Sequence, residues 1–509
     1  MGVYAEWARN QSLSVGKYWE KRFRTKTVLW VFFVLALRRA HVNRAGLIGT
    51  ASIMRFCWIG CLRIRFKINR LGLPHLPIGQ FSAQYNLVNA YSCILRFDVN
   101  TWRKRRMANV GTLPMEDRKV TLREVAEFAD NLEPFSDNLR EQILAPRPRK
   151  LAPFYTISEL AEMCNLTRQQ IQYLVTKGEG GLPPGTLNGN GRSRTFTLPE
   201  VRVWVKMASD IYQTRLDDGD GTFKGKVLTT AQLKGGSAKT TTTVCLAQAL
   251  TLLGRKVLLV DLDPQASASE LCGLYAEKEI SGDDTVLPYI YDQNVEGGLG
   301  ASVQSTYWDG LDIIPGHTFL YGAEFLLPAR QKTIQGYRFW AVLREGLEPL
   351  RSQYDYILID TSPSLSYMNL NALLAADALV MPMIPENLDF ISSLAFWRLF
   401  SDVAEDFLPY EEDKVYDFIS ILLSKVDYGK TSSAPVVRQW AQSAYGRWLD
   451  PFEIPASSVM SGGALSFSTA LDVVSTHSTA KSLQRVRQPM MQYAKWLDDM
   501  FVKSWKESA

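Results

Sequence analysis

The sequence predicts an α/β fold, a mostly parallel sheet flanked by helices, preceded by a small winged helix-turn-helix module. Three observations point there. Apolar runs at residues 227–233, 256–262 and 354–360 each lead into a glycine-rich loop or end in carboxylates, as strands of a parallel sheet do at their ligand-binding edge. Between Phe154 and Met207, three hydroxyl residues are each followed three positions later by a carboxylate or amide, the mark of helix starts in a stretch of small-domain size. The composition also breaks near residue 106, so what precedes it is a different kind of polypeptide.

At 509 residues the chain holds two to four units at about 150 residues each. A hydrophobic fraction of 46% with 21% charged residues fits a folding, soluble chain and excludes wholesale disorder or a multispan membrane protein. Of the 57 basic and 52 acidic residues, 19 and three respectively fall before residue 107, which leaves the remainder net acidic. The apolar run Val28–Leu37, between Lys21-Arg22-Phe23-Arg24 and Arg38-Arg39, is short of the about 20 residues a spanning helix needs. No small-residue cleavage site follows it, which argues against a signal peptide. Residues 1–106 are therefore expected to be a mis-assigned, disordered extension ahead of a start at Met107; a basic nucleic-acid-binding arm and a membrane-associated segment are the alternatives. The six cysteines show no CxxC pair and the four histidines lie far apart, so no zinc site is expected and the thiols read as reduced.

Residues 107–150 are expected to form a helical arm. Val120, Leu122, Val125, Phe128, Ala129 and Leu132 have helical spacing, and Pro146-Arg147-Pro148-Arg149-Lys150 ends the pattern. A solvated helix has the same periodicity.

Residues 151–218 are assigned to the winged helix-turn-helix. Thr156/Glu159, Thr167/Gln170 and Thr197/Glu200 are capping boxes, and only Cys164-Asn165-Leu166 separates the first two helices. That spacing puts Arg168, Gln169, Gln170 and Gln172 at the start of the second helix, the end that faces base edges in this motif. An Asn-Gly turn between β-prone flanks, Thr186–Phe196, reads as a wing whose Arg192 and Arg194 contact phosphate. The module resembles MerR-like regulators.

Residues 219–509 carry the chemistry. Lys234-Gly235-Gly236-Ser237-Ala238-Lys239-Thr240-Thr241 lies between a strand and a helix-forming stretch, the context of a phosphate-binding P-loop. Gly235, Gly236, Ser237 and Ala238 let backbone amides reach phosphate, Lys239 neutralises the β- and γ-phosphates, and the Thr240 hydroxyl is placed for Mg²⁺, with Thr241 beside it near the α-phosphate. Asp261-Leu262-Asp263-Pro264-Gln265 ends one buried strand and Asp360 ends another, the latter placed to hold Mg²⁺ through water.

An extra lysine, Lys234, opens the loop, and Ala238 stands where the ordinary motif has glycine. This KGGxxK[ST][ST] pattern resembles the deviant Walker A family that includes ParA and MinD. Thr361-Ser362-Pro363-Ser364 and Pro385–Ser393 look like the corresponding segments of the larger ParA-type partition ATPases, so that the resemblance covers about residues 110–505. It implies an ATPase using ATP and Mg²⁺, with Lys234 reaching across a homodimer and Asp263 orienting the attacking water, while Asp261 supports the metal or the water network. It also implies an arm that helps hold the dimer, non-specific nucleoid DNA binding, operator binding, a ParB-like partner, and a cytoplasmic, nucleoid-associated protein without membrane attachment. Arg487, within Lys481–Arg487, is the nearest match to the family's non-specific DNA contact, with Lys481 and Arg485 beside it. A MinD-like membrane-cycling ATPase is the rival reading, because Met490, Tyr493, Ala494, Leu497, Met500, Phe501 and Trp505 share one face of the last helix. A core-facing terminal helix shows the same stripe.

Overall fold

The computed structural model describes residues 120–144, 149–178, 181–189, 193–211, 224–410, 414–457, 467–472 and 480–508. The expectations for residues 1–106 and for Arg192 lie outside the described residues.

The arm is a single helix, α1 (Leu122–Leu144). The Thr121 amide donates to the Glu124 carboxylate at 2.9 Å and the Glu124 amide to the Thr121 hydroxyl at 3.2 Å, which closes the first turn. Val125, Phe128, Leu132, Phe135 and Leu139 are exposed along one side.

The small module begins with β1 (Tyr155–Thr156), α2 (Ile157–Met163) and α3 (Arg168–Lys177). Of the three expected capping boxes, those opening α2 and α3 are complete, with Thr156 and Thr167 accepting from the Glu159 and Gln170 amides, and at the third the Thr197 amide donates to the Glu200 carboxylate at 2.7 Å. Asn165 takes the left-handed conformation between the helices, which asparagine tolerates better than most residues, and so makes the tight turn. The wing is β2 (Thr186–Leu187) paired antiparallel with β3 (Arg194–Phe196), and β3 also pairs with β1. α4 (Leu198–Ile211) follows; its Trp204 is wholly buried, meets Phe196 edge-on at 6.3 Å and donates its indole N–H to the Pro183 carbonyl at 2.9 Å.

An eight-stranded sheet in the order β11-β10-β9-β4-β8-β5-β7-β6 forms the rest. Its strands are β4 (Lys226–Thr230), β5 (Val257–Asp261), β6 (Gln304–Ser305), β7 (Leu311–Ile314), β8 (Tyr356–Asp360), β9 (Ala378–Met383), β10 (Phe418–Val426) and β11 (Leu449–Pro455). All neighbours are parallel except β6 with β7. Strands β5, β8 and β9 are buried from end to end, and β4 at all but its first residue, as their apolar runs require when helices cover both faces. Helices that bear on the site are α5 (Lys239–Leu252), α6 (Ser267–Leu271), α7 (Ala276–Glu279), α8 (Tyr321–Thr333), α9 (Tyr367–Ala375), α10 (Asn387–Phe407), α11 (Ala434–Tyr445) and α12 (Ala480–Ser508).

One hydrophobic cluster runs from the small module (Leu160, Ile171, Trp204) through α5 (Val244, Leu246, Leu250) to α12 (Tyr493, Leu497, Phe501). The module is thereby seated on the helix that follows the P-loop. In α12, Met490, Tyr493, Ala494, Leu497, Phe501 and Trp505 are buried, so the stripe that suggested a membrane-binding helix packs inside. Among the described residues no helix is long and apolar enough to cross a membrane.

Candidate functional site

Sheet register assembles the site. Thr230, Asp360 and Asp261 are aligned neighbours on β4, β8 and β5, which puts a hydroxyl and two carboxylates in one row at the carboxyl edge of the sheet. Connections leave β4 and β9 toward opposite sides of the sheet, and a crevice at such a point is where open α/β sheets bind ligands.

The P-loop leaves β4 at that edge and runs into α5. Gly236 has φ +78 although a Cβ there would meet open space, so backbone conformation and not crowding demands glycine. Ala238, at the amino terminus of α5, also has positive φ, 76°, a strain of about 1 kcal/mol or more for a non-glycine residue that the surrounding bonds must offset. Two such bonds come from the end of β10: Ser424 donates to the Ser237 carbonyl at 3.0 Å and Lys425 to the Gly236 carbonyl at 2.8 Å. Sequence reasoning missed both, because a brace from nearly two hundred residues away leaves no local pattern.

Lys239 is largely buried, and desolvation pulls its pKa down against the opposing pull of Asp360 and Asp263. Asp360 is fully buried; burial raises its pKa, and nearby Asp261 adds to the effect while the Thr240 hydroxyl bond and Lys239 oppose it. One Asp360 oxygen accepts from Thr243 at 3.2 Å; the other, like the Ser237 hydroxyl, is buried with no partner. Unpartnered buried oxygens are costly, and a cation at Asp360 and Thr240 with phosphate at Ser237 would satisfy them, so these residues fit Mg²⁺ and a nucleotide.

Asp261, expected to support the metal or the water network, has both carboxylate oxygens hydrogen-bonded within its own loop. One oxygen accepts from the Asp263 amide at 3.1 Å, and the other from the Ser269 amide and hydroxyl at 2.9 and 2.7 Å. Gly316 closes over it: a Cβ there would lie 2.8 Å from the Asp261 carboxyl carbon. The buried loop needs its amides paired, and Asp261 meets that need, shaping the turn that carries Asp263. Asp263 is itself nearly buried and accepts from the Gln265 amide at 2.9 Å.

The loop after β8 is pinned at both ends. Thr361 donates to the Thr230 carbonyl at 2.7 Å, Asn369 donates to the Ser362 carbonyl at 2.8 Å, and Glu324 of α8 accepts from the Tyr367 and Met368 amides at 2.9 and 3.2 Å. Glu324 therefore caps α9 from a distant element, another residue with no local signal. Lys234 bonds Asp389 of α10 in the same chain.

In the small module, Arg168, Gln169 and Gln172 are exposed at the amino-terminal half of α3, whereas Gln170 is held in its capping box. Arg194, expected to contact phosphate, donates to the Pro184 carbonyl at 2.8 Å, because the Pro/Gly stretch before the wing leaves carbonyls that strand pairing does not satisfy. Arg487 is more deeply engaged within the chain. Its guanidinium donates to the Ala470 and Leu471 carbonyls at 2.7 and 3.2 Å and is mostly buried, so it fastens a turn of the protein, while Lys481 and Arg485 on the same helix are exposed.

Residues 155–203 match the MerR HTH family of regulatory proteins, and residues 225–406 match an AAA domain family. The chromosome partitioning protein ParA of Caulobacter vibrioides (strain NA1000 / CB15N) is 37% identical over 161 residues, 31% of this chain and 55% of that protein. Protein SopA of Escherichia coli (strain K12) is 30% identical over 307 residues, 59% of this chain and 76% of SopA. The chain belongs to the ParA-type partition ATPases. The sporulation initiation inhibitor protein Soj of Bacillus subtilis (strain 168) is 37% identical over 161 residues, 31% of this chain and 58% of Soj. A ParA-type protein with a helix-turn-helix in front of its P-loop domain accounts for both halves of the described chain, and with the α12 stripe inside the core the MinD-like reading loses the feature that suggested it.

Proposed function

We propose that this ParA-type protein hydrolyses ATP with Mg²⁺ and uses the cycle to move and segregate DNA. The observation that carries the reading is a buried Asp360 oxygen left without a hydrogen-bond partner in the carboxylate that Lys239 and Thr240 neighbour.

Thr240 and Asp360 are the residues that would hold Mg²⁺, and the ion, when bound, supplies positive charge to the phosphates. Gly235, Gly236, Ser237, Ala238 and Thr241 present backbone amides at the amino terminus of α5, and Lys239 adds a cation. Asp263, on a loop fixed by Asp261, accepts a proton from and orients the attacking water. Lys234 reaches the nucleotide of a second copy once its bond to Asp389 opens, which makes the active form a homodimer.

Exposed Arg168, Gln169 and Gln172 suit operator recognition in the major groove and so autorepression, with Arg192 of the wing a further phosphate contact. Lys481 and Arg485 suit salt-sensitive, non-specific nucleoid DNA binding. A ParB-like centromere-binding protein stimulates hydrolysis, and the protein works in the cytoplasm on the nucleoid. The domain limits 107–150, 151–218 and 219–509 belong to the same reading.

The test is binding of the full chain to a non-specific duplex with ATP, ADP or no nucleotide, beside ATP hydrolysis by wild type and Lys239→Ala. ATP-dependent DNA binding and hydrolysis, both lost in K239A, are expected. Binding to anionic vesicles in place of DNA would overturn the partition reading.

A further inference from the structure

The last turns of α1 dock on α6 and α7, the two short helices directly after the Asp263 loop. Arg140 bonds the Glu270 carboxylate of α6, and its guanidinium lies 4.1 Å from the centre of the Tyr275 ring and 5.1 Å from that of Phe467. Both partners are mostly buried, with side-chain exposures of 15% and 19%. Asp137, one turn earlier, accepts from the Tyr275 hydroxyl at 2.9 Å and bonds Lys278 of α7. Beyond the arm, Lys150 donates to the Leu271 carbonyl, at the end of α6, at 2.7 Å.

α6 has five residues, too few to persist without outside support. It begins after Ala266, which has φ 53, and the Ala266 amide donates to the Asp263 carbonyl at 2.8 Å. Ser269, the residue before Glu270, makes the two bonds that hold Asp261. A continuous set of contacts thus runs from Arg140 through Glu270 and Ser269 to Asp261 and the Asp263 turn. Arginine suits this place because its planar fork can bond a carboxylate and stack between two rings at once; lysine can only do the first.

We propose that Arg140 is a positioning residue for the Asp263 loop, which makes arm α1 a working part of the ATPase site of its own chain. The proposal rests on the ATPase reading above. A misplacement of about 1 Å at a catalytic group costs on the order of a hundredfold in rate, so loosening α6 reaches catalysis without touching the nucleotide.

The experiment compares full-length wild type with Arg140→Ala, Arg140→Lys and Arg149→Ala in steady-state ATP hydrolysis, with amide hydrogen exchange followed over residues 263–272. Arg149 makes an exposed ion pair with Glu279 and serves as a control from the same segment. In R140A, kcat falls about tenfold while KM stays within about twofold, and α6 amides exchange faster. R140K recovers part of the rate, and R149A matches wild type. Wild-type kcat in R140A, or loss of kcat only in step with lost nucleotide binding or unfolding, overturns the proposal. A wild-type chain that does not hydrolyse ATP fails the ATPase reading and this inference with it, whereas an active R140A fails the inference alone.

Discussion

Lys234, the lysine that opens the P-loop, is bonded to Asp389, a carboxylate almost wholly buried in the first turn of α10 whose second oxygen has no partner. The pair ties the nucleotide loop to a helix 155 positions away in sequence. Lys234 is about one-third exposed, so solvent screens part of the attraction.

Removing Lys234 leaves a buried, uncompensated carboxylate. Lys234→Ala is therefore expected to destabilise the nucleotide-free protein by about 1–2 kcal/mol after allowance for screening, and Asp389→Asn in the K234A background to recover most of it. Chemical denaturation of the two single variants and the double variant measures the coupling. Simple additivity would show that the pair contributes nothing.

Gly316→Ala puts a methyl group against the Asp261 carboxyl carbon and the Asp263 carbonyl, each 2.8 Å from the new carbon. Backbone cannot yield cheaply there, and the Asp263 turn must shift. Hydrolysis is expected to fall at least about tenfold with nucleotide affinity much less affected, as the P-loop itself is untouched. Equal kcat in G316A and wild type would show that the turn has slack.

Asp450 predicts a pH dependence. Burial pushes its carboxyl up to about 7, against hydrogen bonds from Ser420 and Tyr493 that favour ionisation. A folded pKa above the unfolded value means that the folded state binds the proton more tightly, so this contribution to stability is full below about pH 4 and is lost as pH rises through 7. Asp450→Asn is expected to be more stable than wild type by about 2 kcal/mol at pH 8 and nearly equal at pH 4. Unfolding measured at both pH values checks it; a difference independent of pH would contradict it.

Arg487 and Arg485 lie two positions apart on α12 and are expected to fail differently. Arg487→Ala strands the Ala470 and Leu471 carbonyls and should cost about 1–3 kcal/mol of stability. Arg485→Ala should leave stability within about 0.5 kcal/mol and weaken non-specific DNA binding, reducing its salt dependence. Thermal unfolding and DNA titrations at two salt concentrations separate the roles, and the reverse pattern would restore Arg487 as the DNA contact.

The P-loop was legible in the sequence because its residues are contiguous: the glycines, Lys239 and Thr240 follow one another at the junction of β4 and α5, so their spacing is their geometry. The capping boxes at Thr156 and Thr167 were legible for the same reason, since each closes within three residues. The strands ending at Asp261 and Asp360 could be read from buried apolar runs, which a sheet covered on both faces imposes. Tertiary structure alone decided what polar side chains do once those elements pack. A loop or turn with unpaired backbone groups takes the nearest donor or acceptor, whatever its place in the chain. That is why Asp261 holds its own loop and Arg194 and Arg487 bond carbonyls of the protein, whereas Lys234 rests on another side chain, the buried carboxylate of Asp389. Packing also decides where the arm docks: α1 is amphipathic by its sequence, but only the packed fold sets Arg140 against Glu270 of α6.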